Sequence, residues 1–473
     1  MSRIELQQAS ELRHQAQAAG QSHLFARWTE LTLSEQESLV EQAMCVDFNL
    51  LAKLWKEGSE ESGNSHAHDL PRRARPIQQV VRNPRSSADM TIRQAARDCG
   101  ESLLREGRVA VILVAGGEGT RLGMKGPKGL FPIGPITGNS LYQLFAEQVV
   151  SLSQRFGRTI PYVIMTSHAT DQITRDFFSK QNFFGLEPSS VHFLRQGVMP
   201  VVDRETGRIL MNGPASIIMN PNGHGGLLEA LHTSGSFEQF RQLGIELMYY
   251  HQVDNPLTHV ADPVMLGLHH QRKAQVTVKV VAKQSPEEKM GVLTEIDGHV
   301  QIIEYSDLTA EDVRRTTSDG DLLFWAGNTA IHVFDRTTLQ EMASAGNPLP
   351  YHRAIKKVGH LDNLGRWVDP QMENAIKYER FIFDLLPRIQ NCLVMEAERE
   401  EEFCPLKNST GEFSPEHVKQ AIISRALRWL RSRCEIPNSV SSVEISPLFA
   451  LDADDLQQWK PPTTWSDGPF LLR

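Results

Sequence analysis

The residues of this chain whose types and spacing most plainly invite chemistry lie on one loop, Ala115-Gly116-Gly117-Glu118-Gly119-Thr120-Arg121-Leu122-Gly123, followed by Gly126-Pro127-Lys128-Gly129. Glycines let a backbone turn tightly and bring its N–H groups against a phosphate or a base with no Cβ in the way. The spacing of Gly117, Gly119 and Gly123 falls one residue off the dinucleotide pattern GxGxxG. A dinucleotide-binding fold also wants an acidic residue about 20 positions further on to hold a ribose, and Ile136-Thr137-Gly138-Asn139-Ser140 offers none. Hydride transfer would leave Arg121 and Lys128 without a task. Two fixed cations on one Gly- and Pro-rich loop suit a triphosphate. The plain alternative is a Gly-rich turn that carries two surface cations.

Such a loop needs rigid elements on either side. Val109-Ala110-Val111-Ile112-Leu113-Val114 is a continuous apolar, β-branched run, the pattern of a strand buried on both faces. Tyr162-Val163-Ile164-Met165-Thr166 and Leu247-Met248-Tyr249-Tyr250 read as further strands. Residues from Ser140 to Leu152 form an amphipathic helix with Leu141, Leu144, Phe145, Val149 and Leu152 inward. Strands alternating with helices predict an α/β sheet with right-handed crossovers, where ligands bind at the carboxyl ends of strands. Asp254 follows one such strand, a place where aspartate is usually a turn former.

Ahead of this region, residues 1 to about 56 read as helices, with Leu24, Phe25, Trp28 and Leu31 at three-to-four spacing and Thr32-Leu33-Ser34-Glu35 as a capping signal. From Glu57 to about Met90 the chain turns polar and broken, the composition of a linker, with Arg72-Arg73-Ala74-Arg75 as a solvated surface run. Val443-Glu444-Ile445-Ser446-Pro447-Leu448 marks a small β-containing tail.

The full pattern, GGxGTRLG then PKG, resembles the signature of sugar-nucleotide pyrophosphorylases, because it sets glycines, Thr, Arg and Lys in register. Further stretches narrow the likeness to the large eukaryotic-type UDP-sugar pyrophosphorylases, nearest their acetylglucosamine branch. They are Ile164–Ser167, Arg195–Pro200, Val253–Asn255, Glu304–Ser306, Ala326–Asn328, Leu349–His352, Phe381–Asp384 and Phe403–Asn408, in family order. This resemblance implies a Rossmann-like nucleotidyltransferase of GT-A-like type. Its mixed α/β sheet would lie in residues 91–405, with a helical module and linker in 1–90 and a small β-containing domain in 406–473.

The same resemblance implies the reaction and its parts. UTP and a sugar 1-phosphate would give a UDP-sugar and pyrophosphate. Val114, Ala115, Gly116, Gly117 and Gln196 would meet the uridine end, Gly223 would touch the nucleotide through its backbone, and Asp254 would hold Mg²⁺ on the phosphates. An amide such as Gln196 presents a donor and an acceptor together, which matches the imide edge of uracil. Glu304, Tyr305, Gly291, Asn328, Phe381 and Phe383 would contact the sugar. Phe381 and Phe383 also alternate as in an ordinary half-buried strand. Arg121 and Lys128 would stabilise pyrophosphate, Lys377 the α-phosphate region, and Lys407 would add an active-site lysine from the C-terminal segment. A catalytically silent nucleotide-sugar sensor is the alternative, but it has no need of Arg121, Lys128, Asp254 and Lys377 together.

One position departs from the pattern. The acetylglucosamine branch has Gly-Asn-Gly-Gly where this chain has Gly223-His224-Gly225-Gly226, a loop more like UDP-glucose and broad UDP-sugar enzymes. His224 is therefore expected to project toward the sugar and to bear on the choice between N-acetylglucosamine 1-phosphate and glucose 1-phosphate, or else to brace its loop.

Composition sets the outer limits. At 473 residues, two or three domains are expected. A net charge of −8 argues against nucleic-acid coating. The N-terminus carries no apolar leader and no stretch reaches the roughly 18 apolar residues of a membrane span, so a cytoplasmic protein is expected. Five cysteines without metal or disulfide spacing predict buried free thiols.

Overall fold

The computed structural model describes residues 3–60, 66–346, 349–362, 364–463, 465 and 467–473. The apolar runs form a mixed sheet of ten strands among these residues. We number them β1 (Val80–Val81), β2 (Val109–Val114), β3 (Tyr162–Thr166), β4 (Val191–Arg195), β5 (Leu247–Gln252), β6 (Val276–Ala282), β7 (Val292–Ile296), β8 (His299–Ile303), β9 (Ala326–Asp335) and β10 (Cys392–Glu396). The sheet order is β1-β10-β6-β9-β5-β2-β3-β4, with the β7–β8 hairpin attached to β9. β2 lies parallel to both β3 and β5, and β9 is the antiparallel strand between β5 and β6.

The central strands β2, β3, β5 and β6 are buried along nearly their whole length. In the helix Leu141–Phe156, Leu141, Phe145, Val149 and Leu152 pack into the core with Val109, Val111 and Leu113 of β2. That helix opens on Ser140, whose side chain accepts the Gln143 N–H; a short polar acceptor satisfies a donor that the first turn cannot.

The chain divides into two compact units, neither continuous in sequence: residues 1–69, 196–227 and 349–384 form one, and residues 70–195, 228–348 and 385–473 the other. The second holds the large sheet. In the first, a three-stranded antiparallel sheet joins Val202–Asp203, Ala375–Glu379 and His352–Lys356. The N-terminal helices supply Leu39, Ala43, Phe48 and Leu51 to its core beside Ile209, Met211, Ile376 and Tyr378. Gln21 fixes this register by donating to the Gly207 carbonyl (3.0 Å) and accepting from the Ile209 N–H (2.9 Å).

Three local expectations are corrected. Leu24, Phe25 and Trp28 lie on two short 3-10 turns, not on an α-helix, because the chain reverses at Gly20, whose φ of 74° ends the preceding helix. The predicted capping box at Thr32 and Glu35 does open a helix at Leu33–Met44. Within the predicted linker the chain enters a helix at His66–Arg73 and then supplies the edge strand β1, which pairs with Val394 and Met395 of β10. The basic run there is exposed at Arg72, Arg73 and Arg75, as expected; only Ala74 between them is buried, while Arg75 bridges Glu295 through its backbone and Arg73 pairs with Asp297 at the surface. Of the five free thiols only Cys404 is buried, while Cys45 is exposed.

The C-terminal part of the second unit has its own small core. The helix Pro415–Arg431 places Ala426 and Leu430 against Val440 and Val443 of a strand that pairs in parallel with Gly468–Leu472. Glu444 ties this part to the segment that follows the Gly-rich loop by accepting the N–H groups of Ile136 and Thr137 (2.5 and 2.9 Å). Among the described residues no helix is long and apolar enough to cross a membrane.

Candidate active site

The Gly-rich loop leaves the carboxyl end of β2, held by bonds from Ala115 N to the Met165 carbonyl (2.8 Å) and from Val253 N to the Val114 carbonyl (3.0 Å). It then folds back on itself. Gly119 N donates to the Gly126 carbonyl (2.9 Å) and Lys128 N to the Gly117 carbonyl (3.0 Å), so Lys128 returns to the level at which the loop began. Gly117 and Arg121 stay exposed while Ala115 and Gly116 are buried.

Lys128 is the focus of charge. Its Nζ donates to the Leu406 carbonyl (3.4 Å). Burial lowers its pKa below the ordinary lysine value; Asp254 opposes that shift, and the like charges of Lys407 and Arg121 add to it. Three further sequence-predicted residues of the second unit, Arg121, Asp254 and Lys407, therefore act on Lys128. Their meeting depends on a segment far along the chain. Asp254 and Asn255 hold residues 404–406 through bonds from Leu406 N to the Asp254 carbonyl (2.6 Å) and from Cys404 N to Asn255 Oδ1 (3.0 Å).

A second group lies in the same unit. Asn328 N donates to the Gly291 carbonyl (2.9 Å). The Glu304 carboxylate lies over Gly291, so closely that a side chain there would meet Oε1 at 2.8 Å. Tyr305 follows, about half exposed (49%). Asn328 sits where the register between β6 and β9 slips, with Ala330 at φ 57° and its N–H bonded to Asn328 Oδ1 (3.0 Å). Such a bulge re-aims side chains out of the regular pleat.

The model of the UTP–glucose-1-phosphate uridylyltransferase family matches residues 59–446 of the chain. The chain belongs to this family. It is 35% identical over 430 residues to the human UDP-N-acetylhexosamine pyrophosphorylase-like protein 1, covering 89% of this chain and 85% of that one. It is 32% identical to the UDP-N-acetylglucosamine pyrophosphorylase of Saccharomyces cerevisiae, over 93% of this chain and 95% of that protein. The crystal structure of the uridine diphosphate N-acetylglucosamine pyrophosphorylase from Trypanosoma brucei in complex with an inhibitor superposes with a TM-score of 0.83. The identity is 25%, with 100% and 98% of the two chains covered.

The remaining residues that the resemblance to this uridylyltransferase family singles out lie in the first unit. Gln196 is buried at its start. Lys377 stands on the strand Ala375–Glu379, opposite Ala354, with its neighbours Ile376 and Tyr378 fully buried on the other face. Gly223, at φ 84°, lies against residue 380: an added Cβ would run into the Arg380 carbonyl, and Gly225 N donates to that same carbonyl (2.8 Å). Asn222 completes the clasp. With its amide turned to satisfy both ends, Nδ2 donates to the Gly197 carbonyl (3.1 Å) and Oδ1 accepts from Arg380 (2.8 Å).

His224 is part of an aromatic stack rather than a projecting side chain. Its ring stacks on Phe381 (centroids 5.3 Å apart), and Phe381 stacks on His352 (4.6 Å), whose Nε2 pairs with Asp384 (2.9 Å). Phe381 and Phe383 bracket the entry to the 3-10 helix Ile382–Arg388, not a strand. His224 Nδ1 accepts the Ile382 N–H (3.2 Å), which puts the proton of the neutral ring on Nε2. Burial, helped by His352, lowers its pKa to about 4, so the ring is neutral at pH 7.

These contacts make a direct prediction. A residue that selects the sugar would shift the ratio of kcat/KM values for N-acetylglucosamine 1-phosphate over glucose 1-phosphate by about 1–3 kcal/mol when changed. A bracing residue would lower both efficiencies together. For His224→Asn we expect both to fall with their ratio unchanged and the melting temperature to drop, since the shorter amide breaks the stack. A shifted ratio at unchanged melting temperature would overturn the bracing role.

Several residues that hold these segments within their own units have no signal in the loop motif. Asn255, Glu402 and Arg380 act through backbone groups of distant segments. Lys279 carried no expectation from the sequence; the only signal that could have found it is a charged residue within the apolar run Val276–Ala282.

Proposed function

We propose that the protein transfers the uridylyl group of UTP to N-acetylglucosamine 1-phosphate, with glucose 1-phosphate as a second acceptor. An anionic oxygen of the sugar 1-phosphate attacks the α-phosphorus of UTP in line, the bond to the β-phosphate oxygen breaks, and pyrophosphate leaves with that electron pair. The nucleophile is already deprotonated at neutral pH, so no general base is needed. Catalysis then rests on positioning and on neutralising charge.

Lys128 and Arg121 stabilise the departing pyrophosphate in this reading, and Lys407 adds a third cation at the same place. Lys377 serves the α-phosphate region. Val114 to Gly117 and Gln196 hold the uridine, and Gly223 touches the nucleotide through its backbone. Gly291, Glu304, Tyr305 and Asn328 hold the sugar, with Phe381, Phe383 and the His224 loop shaping its surroundings.

Asp254 is the residue we assign to Mg²⁺. Its carboxylate is half-buried beside the loop, next to Lys128. Among the described residues no three His, Cys, Asp or Glu side chains converge as a metal cage. That donor set fits Mg²⁺, which commonly takes one or two protein carboxylates and completes its shell with phosphate and water. When bound at Asp254, the cation would supply neutralisation of phosphate charge beside Lys128.

The observation that carries this reading is the gathering of three cations and one carboxylate around a loop whose backbone is free to face a ligand at Gly117. The test is pyrophosphate release from UTP across a panel of sugar 1-phosphates with Mg²⁺ present. We expect release with N-acetylglucosamine 1-phosphate and slower release with glucose 1-phosphate. UTP binding without release for any acceptor would instead identify a catalytically silent sensor.

A further inference from the structure

Lys279 of β6 is fully enclosed in the second unit, with a side chain that is 0% exposed. Its Nζ donates to Asp262 Oδ2 (2.8 Å) and to both oxygens of Glu402 (2.9 and 2.6 Å). Burial works against its charge and the two carboxylates hold the ammonium protonated. Taking three charges out of water is costly, and a well-packed neutral set at such a place is often as stable or more so. Stability therefore does not account for the triad. What it touches does.

One arm ends on a helix and the other on the candidate site. Asp262 caps the helix Pro263–Gln271 by accepting the Val264 N–H (2.9 Å). The Glu402 carbonyl accepts Asn255 Nδ2 (2.7 Å), and Asn255 Oδ1 accepts the Cys404 N–H (3.0 Å). Two residues on, Leu406 is bonded on one side to the Asp254 carbonyl (2.6 Å) and on the other to Lys128 Nζ (3.4 Å). The backbone of Lys279 has a separate task. Its carbonyl accepts Thr329 Oγ1 (2.7 Å), inside the bulge that aims Asn328.

We infer that Lys279 is a positioning residue for the transfer reaction: its ion triad with Asp262 and Glu402 locks the Asp254–Asn255 turn to the Cys404–Lys407 segment and so sets the spacing of Asp254, Lys128 and Lys407. This rests on the uridylyl-transfer reading above. Lys279 touches no reacting atom. It acts through Glu402 and Asn255, as outer residues orient the groups that meet a metal or substrate.

The single change Lys279→Met strands two buried carboxylates and is expected to unfold the protein. The informative variant removes all three charges at similar volume, Lys279→Met with Asp262→Asn and Glu402→Gln. It should stay folded, because the asparagine still caps Val264 and the ammonium leaves together with both carboxylate charges, so no buried ion is stranded. Two losses are expected in the folded variant. Its kcat should fall by about 10–100-fold, and the affinity of Mn²⁺ for the enzyme–UTP complex, read by electron paramagnetic resonance without turnover, should weaken by about as much. A second variant, Asn255→Ser, cuts the relay without touching a charge and should weaken Mn²⁺ binding likewise. Wild-type kcat and Mn²⁺ affinity in either folded variant would show the triad to be structural only. Should the wild-type enzyme transfer no uridylyl group to any acceptor, the reaction assignment fails, whereas Mn²⁺ binding still judges the positioning role.

Discussion

Lys128→Met will lower the turnover of uridylyl transfer by about 10²–10³-fold in a protein that stays folded, the usual effect of removing one preorganised charge from a reacting centre. Methionine keeps most of the apolar stem and gives up the ammonium that reaches the Leu406 carbonyl. Folding should even gain. Burial lowers the pKa of Lys128 in the folded chain, so below that value the charged amine costs stability, and the cost fades as pH rises toward the ordinary lysine range. A neutral side chain removes the cost at pH 7, and the melting temperature should hold or rise. The same shift predicts a pH dependence. In wild type kcat/KM, which reports the free enzyme, should fall on the alkaline side at a pH below the ordinary lysine range, and Lys128→Met should lack that limb. Unchanged turnover in the variant would remove Lys128 from the reaction.

Asp254→Asn is expected to abolish the response of the rate to Mg²⁺. The amide keeps the size and the backbone bond to Leu406 N, and loses the negative charge that a hard cation prefers. A second consequence separates this variant from a general loss of structure. Asp254 is the group that raises the pKa of Lys128 against burial. Without it, Lys128 should lose its proton at still lower pH, and the alkaline limb of kcat/KM should move toward neutrality. A Mg²⁺ titration that looks the same in wild type and variant would mean the metal ligand lies elsewhere.

How far the sequence reaches depends on whether a feature is local. β2 and β3 appear at their predicted limits because a continuous β-branched run can only be a strand buried on both faces. Thr32 and Glu35 announce their helix because a capping box is complete within four residues. The edge strand Val80–Val81 has no such signature. Two residues become a strand only because Val394 and Met395 lie beside them, and the surrounding prolines and arginines read as linker.

The site divides in the same way. The Gly-rich loop, with Arg121 and Lys128, is visible as a pattern, since glycines and cations are chosen there by what the loop must do on its own. Lys279 is not. In isolation Val276–Ala282 reads as a strand whose two polar positions, Thr277 and Lys279, alternate onto one face turned to water, and only the fold brings Asp262 and Glu402 to that lysine. His224 lies between these cases. Its loop is recognisable, but the ring's direction is set by Phe381 and Ile382, more than a hundred residues later.

The discontinuity of the first unit has a consequence for synthesis. On a ribosome the N-terminal helices emerge first, yet the surface that covers Leu39, Ala43 and Leu51 comes from Ile209 and Met211 and then from Ile376 and Tyr378, translated long afterwards. At ~5–20 residues per second, that interval is tens of seconds. Until then an apolar helical face waits without its full counterpart, while the second unit also cannot close before its last segment is made. Shielding by a holding chaperone during that wait, and sensitivity of yield to elongation rate and temperature, follow from the order in which this chain spells out its two units.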